Sequence, residues 1–177
     1  MKAAKGDVFD VEWRYFALEQ VNSKQAPDWK VWEQPAASRG MPAFRAAEAA
    51  RLQGREAYDR MHWALLEGRN EHNLDFADSS QIEAVARSVG LDISRFKRDL
   101  PSPAFAKKVG DDHTFAVREF GVFGTPTFMF QGTKPFFMRM TAPKEQTEAV
   151  RIFDALTTLF VERPNIDEIK RPRKPRV

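Results

Sequence analysis

Hydrophobic and polar residues alternate along the first part of the chain. The odd positions from 9 to 15 are apolar or aromatic, and the even positions between them are charged: Phe9, Asp10, Val11, Glu12, Trp13, Arg14, Tyr15. A period of two predicts a strand over residues 8–16. Residues 17–40 contain scattered proline, serine, asparagine and glycine, which predicts a long loop held to the body by Trp29 and Trp32.

The next eighty residues have helical spacing. The apolar positions and stop signals predict five helices, over residues 41–53, 55–67, 80–89, 92–99 and 103–120. Ser80 with Glu83 is typical of a capping box, and Asp92 is suited to cap the following helix. A block of helices therefore occupies about residues 41–120.

After Gly121 the pattern shortens again. Residues 127–130 predict a short buried strand, and residues 136–140 predict the return strand of a hairpin. A closing helix is predicted over 144–161. Strands on both sides of a helical insertion bury their apolar faces by sharing one sheet, so the fold class predicted is α/β.

The charge of the chain is unevenly distributed. The net charge is +3, and the last eight residues carry five positive charges, which leaves +3 − 5 = −2 for the rest. Basicity is thus a property of a tail, and specific nucleic-acid binding is not expected. We expect residues 162–177 to be a basic, disordered tail, with weak and salt-sensitive contact to a polyanion as the alternative.

Two compositional facts limit the function. The chain has no cysteine, which excludes disulfides, thiolate nucleophiles and cysteine–zinc sites. No apolar run approaches the roughly 18 residues of a transmembrane helix, so no membrane partner is expected. No apolar stretch follows the opening lysines as in a secretory signal, and a cytoplasmic location is therefore expected.

The ionisable residues give weak signals for chemistry. His62 lies within a predicted helix and is interpreted as a packed or half-exposed helix residue. Residues 111–113, Asp-Asp-His, could ligate a metal, but a solvated helix face is favoured. Glu71 and His72 lie in a predicted polar loop without a nucleophile to activate. No glycine-rich phosphate-binding loop is present. Neither a metal nor a cofactor is expected.

The most specific stretch is the loop at residues 121–128, Gly-Val-Phe-Gly-Thr-Pro-Thr-Phe. A proline before a buried strand cannot donate to a ladder, so it belongs at a strand start or a bulge. One interpretation is an ordinary helix-to-strand turn. The other is a binding loop at Gly124, Thr125 and Pro126, whose backbone is free to pair with an extended peptide.

This loop resembles the one before the third core strand of DsbA-like thioredoxin-fold proteins, in which the proline is cis. The order of Ser102-Pro103-Ala104-Phe105, then Val109, then Gly121-Val122 is similar to the helical insertion of that family. The resemblance covers about residues 8–160. It implies a DsbA-type thioredoxin domain over residues 1–161, with 11–18 as a second core strand and 41–120 as the insertion.

The chain departs from the family at its catalytic pair. The resemblance implies thiol–disulfide oxidoreduction by Cys-x-x-Cys at the start of the first helix, and this chain has no cysteine. We therefore expect a redox-inactive relative with no catalytic residue, in which only binding at Thr125 and Pro126 survives. The partner implied is a peptide or a small thiol.

Two alternatives stay open at this point. The nearest subgroups include hydroxychromene-carboxylate isomerases, glutathione-linked enzymes in which serine can replace the cysteine. The other alternative is a module that binds peptides or small acids without chemistry. The chain also lacks the family's first strand and helix, so the sequence is expected to be N-terminally incomplete. An upstream segment or a partner would then fill the place beside residues 8–16, and the open strand edge would otherwise make the product poorly stable.

Overall fold

The computed structural model describes residues 10–169, and most of that part is helical. Helices occur at Leu18–Val21 (α1), Met41–Arg51 (α2), Arg55–Glu71 (α3), Ser79–Ser88 (α4), Ile93–Asp99 (α5), Pro103–Phe120 (α6) and Gln146–Phe160 (α7), with a 3-10 turn at Pro35–Ala37. Two short strands lie at Thr127–Phe128 (β1) and Phe136–Phe137 (β2). The predicted helices are present, and α3 continues beyond the predicted stop at Gly68.

The chain divides into two compact units, and one of them comprises residues 14–119. The largest fully buried side chains all belong to it: Tyr58, Phe96, Met41, Met61, Ile82, Val31 and Val109. Alanines along α2 are fully buried, which lets neighbouring helices approach closely. Trp32 packs on Gly110 of α6, as predicted for a tryptophan that fixes the long loop.

Two aspartates begin helices in this unit. Asp78 accepts hydrogen bonds from the backbone N–H groups of Ser80 and Gln81, and Asp92 accepts one from Arg95. These bonds satisfy N–H groups that have no partner within the helix. The prediction for Asp92 is confirmed. The capping box proposed for Ser80 and Glu83 is wrong, because the helix begins earlier and Asp78 caps it.

The strand predicted over residues 8–16 is wrong for residues 10–16, which have no regular secondary structure and belong to no ladder. Side chains of α6 bind residues 14–17 instead. The Tyr15 N–H donates to Asp112 Oδ2 at 3.2 Å, and the Ala17 N–H donates to His113 Nδ1 at 3.2 Å. Because the two amides are two residues apart, they point to the same side, as alternate amides of a strand do.

The second unit contains the hairpin and α7, together with residues 10–13. β1 and β2 pair antiparallel, as predicted, with Thr127 opposite Phe137 and Phe128 opposite Phe136. They form a two-stranded sheet that includes neither residues 10–16 nor any other described segment. The predicted single sheet is therefore wrong for residues 10–16.

The strand predicted to be buried at 127–130 is largely exposed. Met129 is 53% exposed and Phe128 is 39% exposed. The physical reason is that the described residues place a neighbour on one edge of β1 only, and a two-stranded ribbon buries little surface. Phe136 is buried here, with its ring stacked on Phe160 of α7 at 4.0 Å.

The predicted basic tail falls partly within the described residues. Residues 161–169 have no regular secondary structure, and Asp167 forms an ion pair with Lys134 at 2.7 Å. The tail charges at 170–177 and residues 8–9 of the predicted strand lie outside the described residues.

Candidate functional site

The loop that joins α6 to β1 has unusual backbone geometry. Gly121 ends the helix with φ of 63°, in the left-handed region that glycine adopts without a Cβ clash. The peptide bond between Thr125 and Pro126 is cis, the isomer that the resemblance implies. Thr125 and Pro126 are exposed, and Gly124 before them is buried. The three predicted binding residues are thus contiguous, with two of them open to a ligand.

Two hydrogen bonds fix the carbonyl groups on either side of Thr125. The Thr127 hydroxyl donates to the Gly124 carbonyl oxygen at 2.7 Å. The Met138 N–H donates to the Pro126 carbonyl oxygen at 3.3 Å. Both carbonyls are therefore occupied within the hairpin unit and are not available to a partner.

The other edge of this segment is open. In the described part of the chain the Thr125 N–H and C=O make no hydrogen bond. The bond from Met138 to Pro126 makes Thr127 and Phe137 a non-hydrogen-bonded pair, so the Thr127 N–H and C=O point away from β2. We call these backbone groups of Thr125 and Thr127 the outer edge. They have the spacing of alternate residues along the unpaired edge of a strand, to which another strand can add.

Apolar side chains flank the loop. Phe123 is 68% exposed, and its ring lies 5.0 Å from that of Phe137, which is itself 36% exposed. A Cβ placed on Gly124 would lie 3.3 Å from Phe137 Cε2, so a glycine allows the aromatic ring to pack against the loop. Exposed aromatic rings beside unpaired backbone can bury apolar side chains of a bound partner.

The loop has no charged or titratable side chain of its own. Residues 121–130 contain no ionisable side chain. The loop can therefore offer a ligand backbone hydrogen bonds, threonine hydroxyls and apolar contact.

Sequence reasoning located the loop but missed Phe123, Thr127 and Phe137. Thr127 could have been found, because a threonine hydroxyl commonly donates to a carbonyl three residues earlier. The exposure of Phe137 had no signal, since Phe-Phe in a hairpin indicates burial equally well.

The acidic and histidine positions of α6 are buried rather than solvated. Asp112 is 4% and His113 is 5% exposed, and Asp111 is exposed. The prediction of a solvated face was wrong for Asp112 and His113 because they follow Val109 by three and four residues, on the buried face of the helix. Burial, and then Lys30, lowers the pKa of His113. Neutral His113 accepts from Ala17, so this pair fixes residues 14–17 and has a structural role.

A second polar cluster is buried in the 14–119 unit. Glu48 accepts hydrogen bonds from the Tyr15 hydroxyl at 2.6 Å and from Arg51 Nε at 2.8 Å. The Arg51 guanidinium lies 3.5 Å from the centre of the Tyr58 ring. The His62 ring stacks on Tyr58, with 5.5 Å between the ring centres. His62 is half-buried within α3, as predicted for a packed or half-exposed helix residue. Burial lowers its pKa to about 4.

The described residues bring three possible metal ligands together at the end of α3. Oxygen and nitrogen atoms of Glu67, Glu71 and His72 lie within 4.8 Å of one another, and all three side chains are exposed. Exposed acidic groups commonly gather in this way without a metal, so these three residues do not by themselves define a site.

Residues 8–150 match the DSBA-like thioredoxin domain family. The chain belongs to this family. The match covers most of the chain, including the helical block and the cis-proline loop, and the family is one of thioredoxin-fold oxidoreductases.

One curated relative is a much longer protein. A 97-residue segment is 36% identical to the protein described as Na(+)/H(+) antiporter NhaA from Herminiimonas arsenicoxydans, covering 54% of this chain and 14% of the relative. The chain thus spans about one seventh of that relative's length. Among the described residues of this chain, no helix is long and apolar enough to cross a membrane.

Proposed function

We propose that this chain is a thiol-independent member of the DSBA-like family that binds an extended polypeptide at Gly124, Thr125 and Pro126. The observation that carries the proposal is the exposed, unpaired backbone of Thr125 next to carbonyls that are already bonded within the hairpin. An extended peptide would add as a strand to this outer edge, with main-chain hydrogen bonds giving affinity.

The composition supports binding without redox chemistry. With no cysteine, no thiolate can attack a disulfide, and no mixed disulfide with a partner can form. The ring of Phe123 would contact an apolar side chain of the peptide, because it is the most exposed large hydrophobic side chain among the described residues. The partner proposed is therefore a polypeptide with apolar side chains in extended form.

Fluorescence anisotropy with a defined peptide tests the binding. The probe is a short fluorescein-labelled peptide that alternates valine and threonine around one phenylalanine. Its control has identical side chains but carries N-methyl groups on alternate amides, which removes the N–H donors of one strand edge. We expect saturable binding of the probe. The methylated control should bind with an affinity reduced by up to about tenfold, because it loses one or two hydrogen bonds.

Two variants distinguish peptide binding at the loop from non-specific hydrophobic binding. Phe123→Ala should weaken binding, since it removes an apolar contact at the outer edge. Leu52→Ala is the matched control, because Leu52 is also exposed, at 51%, and belongs to the 14–119 unit. Equal binding by the methylated peptide, or equal loss in both variants, would contradict backbone recognition at this loop.

Glutathione distinguishes the isomerase alternative. If the protein bound glutathione in place of the peptide probe and isomerised a hydroxychromene carboxylate, the polypeptide-binding proposal would be replaced. We expect neither result, and we expect insulin reduction no faster than the thiol buffer alone.

A further inference from the structure

The peptide plane between Gly124 and Thr125 links an inward contact to an outward one. A trans peptide is planar, and its C=O and N–H bonds point in opposite directions. The Gly124 carbonyl is directed to the Thr127 hydroxyl at 2.7 Å. The Thr125 N–H on the same plane must therefore point the other way, out of the loop.

We propose that Thr127 is the positioning residue of this site: its hydroxyl holds the Gly124–Thr125 peptide so that the Thr125 N–H is presented to an incoming backbone carbonyl. This inference rests on the proposed polypeptide-binding function, which it deepens. Thr127 touches the ligand with its backbone only, through the outer edge, and its side chain acts through Thr125.

In the described part of the chain, the Thr127 hydroxyl makes the only hydrogen bond to the 124–125 peptide plane. Gly124 has no Cβ to restrict its rotation, and the Thr125 backbone makes no bond within the described part of the chain. The next fixed point is the Pro126 carbonyl, which is bonded to Met138 beyond the cis bond. Without the Thr127 hydroxyl, the 124–125 plane would be free to turn, and the ligand would have to order it on binding.

The chain offers a matched control for the hydroxyl. Thr133 in the hairpin turn donates to the Phe130 carbonyl oxygen at 3.0 Å, the same contact three residues back. Thr127→Val removes the hydroxyl but keeps the branched shape, Thr127→Ser keeps the hydroxyl, and Thr133→Val removes the equivalent hydroxyl away from the outer edge.

The measurement is the affinity for the valine–threonine peptide described above, together with the ¹⁵N relaxation of the Thr125 amide in the free protein. Thr127→Val should lower the affinity by about threefold to tenfold and should lower the Thr125 order parameter. Thr127→Ser and Thr133→Val should each stay within about twofold of the parent chain.

The two readouts separate two failures. If the parent chain does not bind the peptide, the proposed function fails, and the order parameter of Thr125 still tests the role of Thr127. If the parent chain binds and Thr127→Val matches it in affinity or in Thr125 rigidity, or if Thr133→Val has an equal effect, the positioning role is wrong.

Discussion

The buried hydrogen bond between Tyr15 and Glu48 gives a quantitative prediction. Glu48 is 6% exposed and Tyr15 is 5% exposed, and the hydroxyl lies 2.6 Å from the carboxylate. Hydrogen bonds to charged groups contribute about 1.5–3 kcal/mol. In Tyr15→Phe the carboxylate keeps Arg51 Nε at 2.8 Å, so it is not left unpaired. We therefore expect the free energy of unfolding to fall by about 2 kcal/mol.

Urea unfolding followed by far-ultraviolet circular dichroism measures this loss, with the dependence on urea unchanged. The other tyrosine of the chain is the control. The Tyr58 hydroxyl is buried and has no partner with hydrogen-bond geometry, so Tyr58→Phe should not lower the free energy of unfolding. A loss below about 0.5 kcal/mol for Tyr15→Phe, or equal losses for both variants, would refute the reasoning.

The same contact predicts a pH dependence. Burial raises the pKa of Tyr15 above its usual range, and the neighbouring Tyr58 and Glu48 side chains raise it further. Above about pH 10 the unfolded chain ionises this group and the folded chain does not, so stability is lost as the pH rises. Tyr15→Phe should reduce this alkaline loss. A parent chain and a variant that lose stability in parallel above pH 10 would contradict the assignment.

Three further predictions concern other parts of the molecule. Gly110→Ala should lower the free energy of unfolding by about 1–2 kcal/mol, because the added Cβ would lie 2.6 Å from the Trp32 ring and overpacking outweighs the gain in helix propensity. Urea unfolding measures this loss, which should disappear when Trp32 is replaced by leucine. The pKa of His62 is lowered to about 4, chiefly by burial, so the free energy of unfolding should decrease by up to about 3 kcal/mol as the pH falls from 6.5 to 4. His62→Gln should reduce this decrease, which thermal unfolding measured at several pH values would show. Asp112→Ala should speed proteolysis near residue 15, since Asp112 holds the Tyr15 amide, and unchanged cleavage seen by mass spectrometry would contradict that role.

The helical block could be predicted from the sequence because each helix has a local signal. Asp92 and the proline at 103 mark helix starts, and helical periods connect them. The family resemblance of residues 121–128 located the loop for a similar reason, since glycine and proline restrict backbone geometry locally. These features depend on few long-range contacts, so one sequence is enough to find them.

The fate of residues 10–16 could not be predicted from alternation alone. Their pattern indicates a strand, but a ladder needs a partner strand that the alternation does not identify, and residues 10–16 have no regular secondary structure. Asp112 and His113 provide the hydrogen bonds instead, from nearly a hundred residues away. Their burial would have followed from their spacing to Val109, had the helix face been assigned by period rather than by polarity.

The central claim, that the outer edge binds extended polypeptide without thiols, is tested most directly at the Thr125 amide. The chain has eight threonines, so a ¹⁵N-threonine-labelled sample gives a simple spectrum in which Thr125 can be assigned. On addition of the valine–threonine peptide, we predict a large shift of the Thr125 signal and slower hydrogen exchange of that amide, because it gains a backbone acceptor. At the same concentration the N-methylated peptide should produce smaller effects, in line with its lower affinity. Saturable binding of the peptide with the Thr125 amide unshifted and its exchange unchanged would contradict the account.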